Sequence, residues 1–137
     1  MQDVYLSAAY GKLNEKIEGG ECQIFSHQSA HGLIRYMFIK KRISVKLSTK
    51  DRYYDIVTPY GYGGPTICNA INRTQLVAEF NVEFSRYCKK NNIISEFIRF
   101  SPVLNNHVDF EAILDVSFNR NTVVTYLDIE DPFMTQL

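Results

Sequence analysis

At 137 residues, with 45% hydrophobic and 22% charged side chains, the chain has the size of one domain with a real core and falls outside the disordered class. Fifteen basic residues balance fifteen acidic ones, and a net charge of zero excludes a general electrostatic grip on nucleic acid. Three cysteines, Cys22, Cys68 and Cys88, form no Cys-x-x-Cys pair, which excludes a disulfide framework or a zinc knuckle and predicts buried free thiols in a reducing cytoplasm.

Met1-Gln2-Asp3 lacks the basic start and apolar run of a signal peptide, and no apolar run approaches the length of a membrane span. Asp3 is expected to cap a helix over Val4–Lys16, with Leu6, Ala9, Tyr10, Leu13 and Ile17 near helical spacing and Gly19-Gly20 as its stop. Cys22–Phe25 and Leu33–Ile39 read as two strands of a hairpin joined by a polar loop, His27–Gly32. His27 and His31 lie four apart, but their polar neighbours place them in that loop, and no metal site is expected there. Lys40-Lys41-Arg42 is the polar end of an element. Ile43–Leu47 extends the second strand or forms another, Ser48–Arg52 is a turn, and Tyr53–Thr58 is a short strand.

That strand runs into Pro59-Tyr60-Gly61-Tyr62-Gly63-Gly64-Pro65. The prolines fix φ at the edges, and the glycines permit positive φ and a close approach to the main chain. Tyr60 and Tyr62 then stand on a stiff turn, each with a flat face and a hydroxyl. The turn is either a ligand-facing loop on a rigid scaffold or a tight structural turn whose tyrosines pack on the core.

Leu76, Val77, Phe80, Phe84, Tyr87 and Cys88 make one apolar helical stripe. Asn72 with Gln75 fits a capping start; Lys89-Lys90 suit the last turn, and Asn91-Asn92 the left-handed stop. Val82, Glu83 and Arg86 fall on the wet side. Ile93–Phe100 carries large apolar residues on both faces and is expected to be a central strand covered on each side. Glu96 and Arg99 interrupt it, and alternation points them to opposite faces. Either each charge is satisfied structurally, or Arg99 meets an anionic ligand group and Glu96 serves as a base or orienter. Ala112–Phe118 and Thr122–Ile129 alternate as two further strands around Asn119-Arg120-Asn121. Asp131-Pro132 opens a helix of which only one turn follows, so residues 1–130 are expected to form one domain and residues 131–137 the truncated start of a following helix or linker.

No Walker loop, dinucleotide fingerprint or nucleophile elbow is present. Nothing local supports a cysteine–histidine pair, and His107 sits on a loop after the expected central strand.

Three stretches together resemble a known family: Tyr53-Tyr54-Asp55-Ile56-Val57-Thr58 with the tyrosine turn, Tyr87 through Phe100, and Pro102 with Asn105-Asn106-His107. They resemble the N-terminal half of bacterial proteins with the Gcn5-related N-acetyltransferase (GNAT) fold, and more closely the branch allied to the Fem family, which attaches amino acids to peptidoglycan precursors. The resemblance covers nearly the whole chain. It implies a mixed α+β domain with a central mixed or antiparallel sheet flanked by helices. In the Fem family two such domains lie in tandem, the first forming the acceptor cleft and the second carrying the acyl donor.

The expected substrate-binding residues are Tyr60, Gly61, Tyr62, Gly63, Gly64, Arg99, Glu96 and His107; no catalytic residue is assigned. The acceptor is expected to be a small molecule or cell-wall precursor, and the partner a second GNAT-like domain or a second copy. The pyrophosphate loop of the acetyltransferases, Gln/Arg-x-x-Gly-x-Gly/Ala at a helix N-terminus, does not occur. No cofactor is therefore expected on this chain alone, while a longer protein would use an acyl-coenzyme A or aminoacyl donor. A non-catalytic binding module and a scaffold half needing its partner are the competing readings.

Overall fold

The computed structural model describes residues 3–44 and 52–124. A single 3-10 turn, Val4–Leu6, precedes the helix α1, Ala8–Glu18. The helix expected from Val4 therefore divides at Ser7. Asp3 does cap, but its carboxylate accepts from the Tyr5 N–H at 3.0 Å and so serves only the short turn. Ser7 is extended, its hydroxyl accepts from the Tyr10 N–H at 3.2 Å, and α1 starts after it. Two caps in one short run give two starts.

β1 (Glu21–Ser29) and β2 (Gly32–Arg42) form an antiparallel hairpin in continuous register from Glu21↔Lys40 to Ser29↔Gly32. The expected loop His27–Gly32 shrinks to the two-residue turn Ala30-His31. Its polar residues alternate along the strands, and cross-strand pairing outweighs their weak strand preference. β2 is the shared strand. Its second half pairs antiparallel with β3 (Tyr54–Val57), and its first half with β4 (Thr66–Ala70), a strand the sequence reading left out.

The helix α2 (Arg73–Lys90) follows, and β5 (Ile93–Phe97) returns parallel to β3. A short helix, α3 (His107–Phe110), comes last. The domain is thus mixed α+β, a mixed-orientation sheet with helices on its faces. Among the described residues no helix is long and apolar enough to cross a membrane.

α2 follows its sequence signals closely. The Asn72 carboxamide accepts from the Gln75 N–H at 3.1 Å, and Asn92 stops the helix at φ 55°. Leu76, Val77, Phe80 and Phe84 are buried against Ile34, Tyr36 and Phe38 of β2 and Ile56 of β3. Each large side chain so buried stabilises by roughly 1.5–3 kcal/mol as an upper bound. Phe80 and Phe84 stack at 5.4 Å, and Phe25 of β1 closes on Phe84 at 5.1 Å.

α1 covers the opposite face, over β1 and β2. It seats its two buried residues, Gly11 and Asn14. A Cβ at Gly11 would collide with Cys22 and Met37, so no large side chain fits between helix and sheet. Leu13 and Ile17, expected on the inner stripe, are instead 74% and 71% exposed.

β5 corrects a second expectation. It is an edge strand, paired only with β3 among the described residues, and only Ile93 of it is buried. Ile94 and Phe97 are each 57% exposed. Ala112–Phe118 and residues 122–124 form no strand; alternation without an adjoining edge gives no ladder. The rest of Thr122–Ile129, Asp131-Pro132, and most of Ile43–Leu47 and Ser48–Arg52 lie outside the described residues. Of the expected buried thiols, Cys22 and Cys88 are half-buried and Cys68 is exposed; all three are free.

Candidate functional site

The main-chain pairing of β3 with β5 reaches Val57↔Phe97 and then opens. The Thr58 N–H donates to the Phe97 carbonyl at 3.2 Å, but the Arg99 N–H turns to the Thr58 hydroxyl at 3.1 Å. Pairing resumes when the Gly63 N–H donates to the Arg99 carbonyl at 2.8 Å. Residues 59–62 leave the ladder between these points as an arch. Thr58 is fully buried, so its hydroxyl replaces a main-chain acceptor where water cannot.

Two braces hold the arch. Buried Asn106 donates from Nδ2 to the Gly63 and Pro65 carbonyls at 3.0 and 3.1 Å and accepts from the Ser101 N–H at 3.0 Å. On the other side the Tyr10 hydroxyl donates to the Tyr60 carbonyl at 2.6 Å, tying α1 to the apex. Tyr5 packs edge-on against Tyr10 at 5.1 Å and Tyr62 at 5.9 Å, and its ring abuts Gly61 so closely that no Cβ fits there. The Tyr60 side is 65% exposed, and Tyr62 is half-buried.

Strand alternation sorts the rest. Ile56 and Glu96, paired in register, face α2; Asp55, Val57, Phe97 and Arg99 face the side of α1. α1 lies over β1 and β2, so among the described residues the half of this face over β3 and β5 is open: Ser95, Phe97 and Arg99 are exposed. The Arg99 guanidinium sits 5.2 Å from the Phe97 ring centre, within cation–π range. Beside them Asp55 keeps one buried oxygen, Oδ1, without a hydrogen-bond donor. An unpaired buried acceptor is costly and marks either stored strain or a place for a donor. The open half-face therefore offers a guanidinium, an aromatic ring and an exposed tyrosine, with the orphan Asp55 oxygen buried behind them.

The structure brings together Tyr60, Gly61, Tyr62 and Arg99. Gly63 and Gly64 are buried and brace the arch from beneath. Glu96 stands on the other face of the sheet, where its carboxylate accepts from the Tyr36 hydroxyl at 2.9 Å. As a residue of an edge strand Glu96 is exposed, but its carboxyl tip reaches inward. Burial there raises its pKa, and the Tyr36 bond partly opposes the rise. Tyr36 is itself pushed well up, by burial first and then by the Glu96 charge. His107 begins α3, half-buried, with its ring 6.2 Å from that of Phe100. Tyr5, Tyr10 and Asp55 were not singled out from the sequence. The two tyrosines reach the turn from some fifty positions away, and no local signal announces them.

A second polar cluster lies at the hairpin tip. Glu79 of α2 accepts from His31 Nδ1 at 2.9 Å, meets His27 Nε2 at 3.4 Å and accepts from Gln75 at 3.4 Å. The Ser29 hydroxyl, then the two imidazoles and Gln75, hold the Glu79 carboxyl down to about 2 against the opposing effect of burial. The histidines read as loop residues are thus latches between hairpin and helix. Among the described residues no group of three or more His, Cys, Asp or Glu side chains is arranged to hold a metal ion. No protein-family profile, curated protein or solved structure matches the chain.

Proposed function

We propose that this domain is the acceptor-side unit of a GNAT-like acyl- or aminoacyltransferase, working in the cytoplasm on a small-molecule or cell-wall precursor used in peptidoglycan or surface-polysaccharide synthesis. The observation that supports this reading most is the open half-face at the carboxyl end of the parallel pair β3/β5, bordered by the braced tyrosine arch. Open sheets with parallel strands place ligands at that end. Arg99 provides a planar fork of donors for an anionic group of the acceptor. Tyr60 and Phe97 offer flat faces for a sugar or base. Transfer on such a surface rests on positioning. The donor would be held by a second GNAT-like domain or a second copy, because this chain has no pyrophosphate loop.

Titration of the isotope-labelled protein with a nucleotide-linked cell-wall precursor tests the reading by NMR. Saturable shifts at Tyr60, Phe97 and Arg99 are expected, weakened at least about tenfold by Arg99→Ala, the loss of one charge-assisted pair. An Arg99→Ala protein that binds as well as the unaltered one removes Arg99 from the site; no saturable shift on that face removes the acceptor reading itself.

A non-catalytic binding module is the second reading. It is favoured by the chemistry of the half-buried thiols: burial pushes Cys88 up to about 11 and raises Cys22, so neither is a ready nucleophile. Calorimetry with acetyl-coenzyme A separates the readings further. Tight donor binding by this chain alone would mark it as a self-sufficient enzyme.

A further inference from the structure

On the α2 side of the sheet lies a hollow of about 400 Å³, turned away from the tyrosine arch. Phe80, Phe84 and Ile93 make its apolar floor, and Leu114 one wall. Glu96 brings the one carboxylate into it. Oε1 of that group accepts from the fully buried Tyr36 hydroxyl at 2.9 Å. Among the described residues no other donor reaches Glu96, and no cation lies within ion-pair distance of it. A carboxylate can accept about four hydrogen bonds; the protein supplies one, and Glu96, an exposed residue that lines the hollow, leaves the others to solvent or a ligand.

The lining restricts what can complete this group. An anion is repelled by Glu96. A purely hydrocarbon filler would cover the apolar floor and leave Oε2 without a donor. A metal ion has one carboxylate here and, in Cys88, a thiol that burial keeps protonated, too few ligands for a stable site. A cation carrying N–H donors and an apolar body meets every demand: the N–H groups answer the carboxylate, and the body packs on the rings. Lys89 also lines the hollow, exposed, and disfavours a second positive charge on the occupant.

We infer that this hollow binds a small amphiphilic amine, a primary ammonium on a short aliphatic or aromatic body, with Glu96 as its anchor. The volume suits such a molecule, being near the lower end of ligand pockets. The site stands apart from the acceptor face, so its failure would leave that reading untouched.

The test is an NMR titration of the full chain with phenethylamine, with phenethyl alcohol as the neutral control. Saturable shifts are expected at Cys88, Ile93 and Leu114, and none at Tyr60 or Arg99. The alcohol and the Glu96→Gln variant should each bind at least about tenfold more weakly, the value of a charge-assisted hydrogen bond. A diamine of similar length should also bind more weakly, because of Lys89. Equal binding of amine and alcohol, or of wild type and Glu96→Gln, would overturn the assignment, as would the absence of saturable shifts. Should Glu96→Gln fail to fold, Asn81→Trp decides. Asn81 is an exposed α2 residue at the same hollow, and an indole there fills the space with the Tyr36–Glu96 bond intact. Loss of amine binding supports the site; undiminished binding rejects it.

Discussion

Three main-chain groups converge on one buried carboxamide, that of Asn106. Asn106→Ala leaves the Gly63 and Pro65 carbonyls and the Ser101 N–H without it, and each buried orphan costs about 1–3 kcal/mol. A loss of about 2–4 kcal/mol in urea unfolding is expected, part of it recovered by water at the carbonyls. A loss below about 0.5 kcal/mol, the scale of a neutral surface change, would mean that the arch holds itself. Gly64 answers to a different force. Its φ is 96° and a Cβ would stand 2.9 Å from Ile98 and 3.0 Å from the Phe100 ring, so Gly64→Ala should destabilise by about 1–3 kcal/mol. At this scale the sequence told half the story. Glycine, proline and tyrosine made the turn legible because their backbone limits are local. The residues that aim it, Tyr5, Tyr10 and Asn106, act from elsewhere in the chain, and the orphan oxygen of Asp55 depends on packing that no spacing encodes.

Among the elements, α2 was legible because one face does all its packing, so its apolar period and its burial coincide. α1 was not. Its buried positions are a glycine and an asparagine, since the helix lies too close to the sheet for larger groups, and its large apolar residues face outward. β5 misled for a related reason: apolar residues on both faces describe a strand covered twice, but Ile94 and Phe97 are uncovered. β4 gave no alternation to read, being short and half polar. The hairpin tip makes a prediction that belongs to this scale. Glu79 is held at about 2 in the folded protein against an ordinary 4.5. A lowered carboxyl contributes stability above its unfolded value and loses it as pH falls toward the folded one. The stability difference between wild type and Glu79→Gln should therefore shrink as pH falls from 4.5 to 2. Urea midpoints across that window measure it; a difference that does not change with pH would show that the latch is not ionic.

For the molecule as a whole, the free side of β5 is, among the described residues, a sheet edge without a partner strand. An unpaired edge beside exposed Ile94 and Phe97 is a template for strand addition. Light scattering should show association that grows with concentration. Ile94→Lys should suppress it and shift stability by less than about 0.5 kcal/mol, as a surface change does. A protein that stays monomeric at high concentration would show that the edge protects itself.

β2 meets all three of its neighbours in registers that depend on one another, and over residues 36–39 both of its faces are apolar. Slipping the strand by a single residue would exchange Tyr36 and Phe38 for Met37 and Ile39, oil for oil; the charge of Arg35 opposes the slip, but over residues 36–39 hydropathy gives the strand no address. Gly32 supplies one. At φ 143° it lies where any Cβ would run into the Asn69 carbonyl and the Ala70 backbone. No other residue of the strand can occupy that spot, and the seat of one hydrogen atom thereby dates every pairing in the sheet.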